Sequence, residues 1–320
     1  MATKTYIYVR YILAIFFLLC LVILTACSGN LIATPLSTNT QVPASITPTS
    51  TEVPPSATPT LQPFSDLKEW DLLIVSSSTN WGVGQYYAEL IEDDMNVKVN
   101  LHDCWVGGLD IRVALKYLQN RLSWSSYVSD QSCNKPLSDL VKDAEVMVLF
   151  GGPFASYPGD DPWDIPESFK ACIQGGYEGK NLLPEFDAYK DKMLKSCAPE
   201  TWSKYQADLG AFLDEIDKIR DGRPLILRLT TSYILHSSYI ENGVDDVCTK
   251  CTGYISEAIR QVAEEYGVPV ADTMVGLNGK DYLSEVPAGY IGEDGIHPSD
   301  AGAQFIATLL QKTGYEYAGK

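Results

Sequence analysis

Basic side chains and histidine are scarce: the 320 residues carry 24 Lys and Arg against 41 Asp and Glu, with only three His. The net charge of −17 leaves few cations to neutralise phosphates, which disfavours nucleic acid and anionic lipid headgroups as partners. Charge balance speaks to partners and not to fold. Metal ligands are short as well. Cys248-Thr249-Lys250-Cys251 would need two further ligands to hold zinc, and no second CxxC or paired-His motif offers them. A redox role for that pair would need a thioredoxin-like context, which is also missing. A permanent membrane span is not indicated at the N-terminus. The apolar run Tyr11 to Leu24 is too short, follows Lys4 and Arg10 with no acidic side chain before it, and ends in small residues, as a signal peptide does.

The end of that run, Leu24-Thr25-Ala26-Cys27, resembles a bacterial lipobox. The resemblance implies cleavage before Cys27 and lipidation of its thiol, so residues 1–27 are expected to be a lipoprotein signal. The rest is then exported and lipid-anchored to the outer face of a bacterial membrane, touching the membrane through the N-terminal lipid only. Residues 28–63 are Ser, Thr and Pro with little charge and few large apolar groups, too little to bury a core, and are expected to form a disordered linker. Proline-rich chain extends at about 3.1 Å per residue, so the linker would stand a domain off the bilayer. Residues 64–320 are long enough for one sizeable core and need no second domain.

Setting aside Cys20 and Cys27 leaves Cys104, Cys133, Cys172, Cys197, Cys248 and Cys251. An even number in an exported chain reads as disulfides. Pairing of neighbours in sequence is expected: Cys104–Cys133, Cys172–Cys197 and Cys248–Cys251.

Asp71 to Val75 is a short, nearly continuous apolar run, the kind found in a parallel strand buried on both faces. It empties into Ser76-Ser77-Ser78-Thr79-Asn80-Trp81-Gly82, and an amphipathic stretch with Tyr86, Tyr87, Leu90 and Ile91 follows. The unit repeats: a strand from Val97 to Leu101, a turn Cys104-Trp105-Val106-Gly107-Gly108, and a helix with Ile111, Ala114, Leu115 and Leu118. Further strands are predicted over Ala144 to Phe150, Leu225 to Leu229 and Val268 to Ala271, and further helices over Trp202 to Ile219 and Ile255 to Tyr266. Five strands alternating with helices argue for an α/β fold, a doubly wound parallel sheet covered on both faces.

Near the C-terminus, Asp294-Gly295-Ile296-His297-Pro298-Ser299-Asp300 packs a carboxylate, an imidazole and a helix start into seven residues. Pro298 suits the first position of a helix, and Ser299 and Asp300 suit its N-terminal end. Gly295 lets the loop turn tightly, so that Asp294 accepts from one imidazole nitrogen and leaves the other facing a nucleophile. With those residues in view, the chain resembles the SGNH (GDSL-type) hydrolases, a superfamily of esterases, lipases, thioesterases and carbohydrate deacetylases. The family's D-x-x-H block matches Asp294 and His297. Its first block lines up as Ser76-Ser77-Ser78-Thr79, with Gly82 four residues after Ser78.

The resemblance implies a flavodoxin-like three-layer α/β/α sandwich with a parallel five-stranded sheet, and a triad of Ser78, His297 and Asp294. It places the oxyanion-hole glycine on Gly108, with Gly107 as alternate. The third block should offer Gly-x-Asn-Asp, but the residues are Gly151-Gly152-Pro153-Phe154, so the asparagine is absent. Backbone N–H groups of Ser78, Gly108 and Gly152 are the expected oxyanion donors, since proline at 153 has none to give. No cofactor or metal is implied. Trp81, Trp105 and Trp163 each fall near a strand end where the site should be, and their rings would stack on a sugar or pack an acyl group, the alternative being that they fill the core. Asp160, Asp161 and Asp164 read as a solvated loop face, the alternative being that they repel anionic substrates from the mouth of the site. His102 and His236 read more simply as structural residues. The expected function is ester hydrolysis on a small ester or acylated carbohydrate, and the alternative is a non-catalytic binding module on the same fold.

Overall fold

Four consecutive side chains, Leu72 to Val75, are sealed from solvent in the middle of strand β1 (Glu69–Ser76). A strand buried on both faces has no polar side to alternate, hence its continuous apolar sequence. The computed structural model describes residues 64, 66–106, 109–123, 131–150, 199–235 and 245–317. Its other strands are β2 (Lys98–Trp105), β3 (Val146–Phe150), β4 (Ile226–Thr230) and β5 (Val270–Ala271). They form one sheet in the order β2-β1-β3-β4-β5, with every neighbouring pair parallel.

Alternate residues of each strand face opposite layers. Leu72 and Ile74 of β1, Val146 and Val148 of β3 and Ile226 of β4 pack with Val83, Tyr87 and Ile91 of α1 (Val83–Met95) and with Ala303, Ile306 and Leu310 of α7 (Asp300–Gln311). Leu73, Val75, Met147, Leu149, Leu227 and Leu229 face the other way. They meet α2 (Ile111–Leu118), α3 (Leu137–Asp143), α4 (Pro199–Arg220) and α5 (Asp245–Tyr266). Fully burying one such side chain contributes about 1.5–3 kcal/mol, so two continuous apolar layers fix the sheet between them. The result is a flavodoxin-like three-layer α/β/α sandwich on a parallel five-stranded sheet, the fold class expected from the strand and helix pattern. A short α6 (Thr273–Asn278) follows β5.

Several boundaries differ from the sequence reading. Strand β2 runs on to Trp105, so Trp105 closes an edge strand and does not begin a turn. Helix α5 starts at Asp245, which takes Cys248 and Cys251 into the helix, where both are buried and disulfide-bonded. Cys104 and Cys133 are bonded to each other, their Cα atoms 5.7 Å apart, within the ordinary disulfide span. Cys172 and Cys197 lie outside the described residues, and so does the pairing expected for them. So do residues 1–63 with the signal, Cys27 and the linker.

The segment after α7 is tied into the core by an unusual group. Arg228 of β4 is fully buried and donates to Thr313 Oγ1 at 2.8 Å and to the carbonyls of Gly314 and Glu316, each at 2.9 Å. A buried guanidinium needs its N–H groups satisfied. Here the chain leaving α7 supplies the acceptors, and α7 is thereby held against the sheet.

Candidate active site

Past Ser76 the chain leaves the sheet at its C-terminal edge. Strand β1 has β2 on one side and β3 on the other, so this is the edge where the strand order switches and where open α/β sheets place their ligands. Ser78–Asn80 form a 3-10 turn there, and Gly82, with a left-handed φ of 81°, leads into α1. The turn is braced locally: the Ser77 and Thr79 hydroxyls are 2.9 Å apart, Asn80 donates to Thr79 Oγ1, and the Val106 N–H donates to the Ser76 carbonyl at 3.0 Å. Ser76 and Ser77 are each 1% exposed, whereas Ser78 is only half-buried. Of the three consecutive serines, Ser78 alone reaches the surface of the edge.

The second half of the site comes from the loop before α7. Asp294 Oδ1 accepts the N–H groups of Ile296 and His297, both at 3.0 Å, and Oδ2 lies 2.5 Å from His297 Nδ1. Gly295, at φ 73°, supplies the left-handed turn that folds the carboxylate back over three residues. Partial burial pushes the Asp294 carboxyl up, but the imidazole and the two N–H donors outweigh it and leave the group below its ordinary range. A carboxylate on Nδ1 fixes the tautomer that leaves Nε2 without a proton and able to accept one. The loop itself is clamped, with the Gly292 N–H donating to the His297 carbonyl at 2.8 Å and a bridge between Ile291 and Pro298.

Pro298 does not open the helix as the sequence suggested. Ser299 is the N-cap, its hydroxyl accepting the Gly302 N–H at 3.2 Å, and Pro298 stays outside the helix in the Ile291 bridge. Gly302 is pressed so closely on the Tyr290 carbonyl that any β-carbon there would overlap it. The start of α7 and the histidine loop are therefore one packed unit.

The two halves are joined by a residue that no sequence motif singled out. The Tyr233 hydroxyl, just beyond β4, donates to the Ile296 carbonyl at 2.7 Å and lies 3.5 Å from the Thr79 carbonyl. It touches both the serine turn and the histidine loop. Trp81 does the same from outside, its ring 6.3 Å from that of His297 in an edge contact. The only sequence signal for Tyr233 was its place at the C-terminal end of a strand, on the edge where sites form.

Asp294 and His297 are thus in direct contact, and Ser78 stands on the same edge. Among the described residues the Ser78 hydroxyl makes no hydrogen bond, to His297 or to any other group. Nucleophile–base contacts of this kind commonly close only around substrate. Gly107, Gly108, Gly151 and Gly152, Trp163, His236 and the aspartates at 160, 161 and 164 lie outside the described residues. His102 is held away from the edge, within β2, with Nδ1 3.1 Å from the Ser132 carbonyl and Nε2 3.9 Å from Asp71.

No family model matches the chain, and no curated protein does. Solved structures do. An extracellular lipase from Streptomyces rimosus, 13% identical, superposes over 76% of this chain and 99% of its own, with a TM-score of 0.51. The chain is similar in fold to that lipase. A lipase from a goat rumen metagenome (19% identical, 77% and 98% covered, TM-score 0.49) and an acetyl xylan esterase from Geobacillus stearothermophilus (16%, 78% and 97%, TM-score 0.44) also align. At these identities the likeness is one of fold, and it rests on the Streptomyces lipase alone. What the site can do follows from its own groups: a half-buried hydroxyl at the surface of the edge, a base held in one tautomer, and a carboxylate that stabilises the base once it is charged.

Proposed function

We propose that this chain is a serine ester hydrolase of the SGNH type, exported and tethered to the cell surface by a lipid on Cys27. Ser78 is the nucleophile, His297 the general base and acid, and Asp294 the group that orients and stabilises the imidazolium. The observation that carries the reading is the Asp294–His297 hydrogen bond at 2.5 Å on the same sheet edge as Ser78. The fold it shares with a lipase supports it.

In the proposed reaction His297 Nε2 takes the Ser78 proton as Oγ attacks the ester carbonyl. The N–H groups of Ser78, Gly108 and Gly152 meet the oxyanion. The proton then passes to the departing alkoxide, and water enters by the same route to release the acid. One oxyanion donor is worth about 10²–10³ in rate, so a hole lacking the family's asparagine turns over more slowly but still turns over.

A fluorophosphonate probe tests this directly. It should label the full chain once, at Ser78, with hydrolysis of acetyl and butyryl chromogenic esters. Ser78→Ala should abolish both, and His297→Ala should lower kcat by about 10³-fold or more. An unlabelled, inactive chain would overturn the reading. The second reading, a surface-tethered binding module, would then apply, and the Ser78 hydroxyl, without a hydrogen bond among the described residues, is the observation in its favour.

A further inference from the structure

Two aromatic rings lead outward from His297. Trp81 meets the imidazole edge-on, at 6.3 Å and 80°, and stacks on Trp105 at 6.1 Å and 27°. Trp81 keeps 62% of its surface exposed, although it stands next to the base of the site. We propose that this pair is a stacking platform for the alcohol half of the substrate, and that the substrate is an O-acyl ester of a neutral sugar ring. The inference rests on the ester hydrolase reading above and adds to it which half of the ester the tryptophans hold.

The side follows from the chemistry. In ester cleavage the oxygen nearest the imidazole is the departing one, because His297 must protonate it, while the acyl oxygen turns toward the oxyanion donors. A ring packed against the imidazole therefore flanks the leaving alcohol. The shape follows from exposure. An acyl chain is held by a concave apolar pocket that surrounds it, whereas exposed Trp81, backed by half-buried Trp105, offers flat surface. A sugar ring fits such a surface because its C–H groups carry partial positive charge and the indole face is negative. The charge follows from composition, since a chain at −17 repels acidic sugars.

The step balances without a co-reactant other than water. Ser78 Oγ bonds the acyl carbon, the bond from that carbon to the sugar oxygen breaks, and the sugar oxygen takes the proton that His297 received from Ser78. Water then cleaves the acyl-serine, giving the acid and restoring the hydroxyl.

The test compares acetate release by the full chain from a peracetylated methyl pyranoside and from ethyl acetate, with fluorophosphonate labelling run in parallel. Trp81→Ala should lower the ratio of kcat/KM for the sugar ester over ethyl acetate by about tenfold, mainly through KM, and Trp81→Phe should keep most of it. An unchanged thermal midpoint shows that the variant folds, as expected for so exposed a side chain. Ser78 labelling with a ratio that moves by less than about twofold overturns the platform and leaves the hydrolase standing. No labelling and no acetate from either ester overturns both.

Discussion

A phenol has one proton to give. Tyr233 spends it on the Ile296 carbonyl at 2.7 Å, one residue before His297, while its oxygen stays within 3.5 Å of the Thr79 carbonyl, one residue after Ser78. Its role is to hold two loops in register and not to touch substrate, so its removal should affect rate more than binding or folding. Tyr233→Phe keeps the ring and deletes the bond, at a cost of about 1 kcal/mol in stability. If it positions the triad, kcat on a chromogenic acetate should fall about tenfold with KM little changed, and the fluorophosphonate labelling rate should fall in parallel. A loss confined to the thermal midpoint would make Tyr233 merely structural. This residue also marks where sequence reading stops. The Asp294–His297 contact is written into a spacing of three residues and a glycine, but Tyr233 lies 154 and 63 positions from its two partners, beyond any local pattern. Ser78 was separable from Ser76 and Ser77 only by register against a family block. The structure separates them physically, by burial.

Among the elements, the sheet was legible because strands buried on both faces must be apolar throughout, as in β1, β3 and β4. Edge strand β2 was cut short because His102 and Asp103, polar and half-buried, break that signature. The short α3 and α6 went unseen because six or seven residues hold too little of a helical period. Helix α6 exists by virtue of its cap. Asp272 Oδ1 accepts the Val275 N–H at 3.0 Å and the Thr231 hydroxyl at 2.9 Å, and Oδ2 accepts Arg260 Nε at 2.8 Å. Burial pushes the Asp272 carboxyl up, but Arg260 and these donors outweigh it and hold it below the ordinary range. A depressed carboxyl contributes stability that is fully present above its unfolded value near 3.9 and is lost as pH falls through the lower folded value. Asp272→Asn should therefore cost about 1–2 kcal/mol at neutral pH, the pair being partly solvated. The difference in thermal midpoint from wild type should shrink as pH drops below about 4. A gap that stays constant across that window would show that the charge is not what holds α6.

On the scale of the whole molecule, the acidic balance acts on whatever approaches the site. The proposed stacking platform and triad would work at contact, but a net charge of −17 sets the local concentration of charged substrates before contact is made. Asp294 at the candidate site, paired with His297, and Asp272 at the start of α6, paired with Arg260, add little to that field, because each has a cation or a donor beside it. The acidic excess of the chain as a whole is what an incoming ester meets. Salt at physiological strength screens such a field beyond about 8 Å, and low salt lets it reach about 30 Å. The activity should therefore distinguish two acetyl esters of equal size by charge alone. Raising NaCl from about 10 mM to about 500 mM should increase kcat/KM several-fold for an anionic aryl acetate and leave the neutral aryl acetate nearly flat, with kcat unchanged for both. The effect should lie wholly in KM and vanish from the rate once the anionic ester saturates, since the field governs encounter and not the proton transfers proposed between Ser78 and His297. Equal salt dependence for the two esters would mean that the acidic surface faces away from the mouth of the site. The neutrality argued for its substrate would then lose its basis, since the Trp81–Trp105 pair speaks to the shape of the substrate and not to its charge.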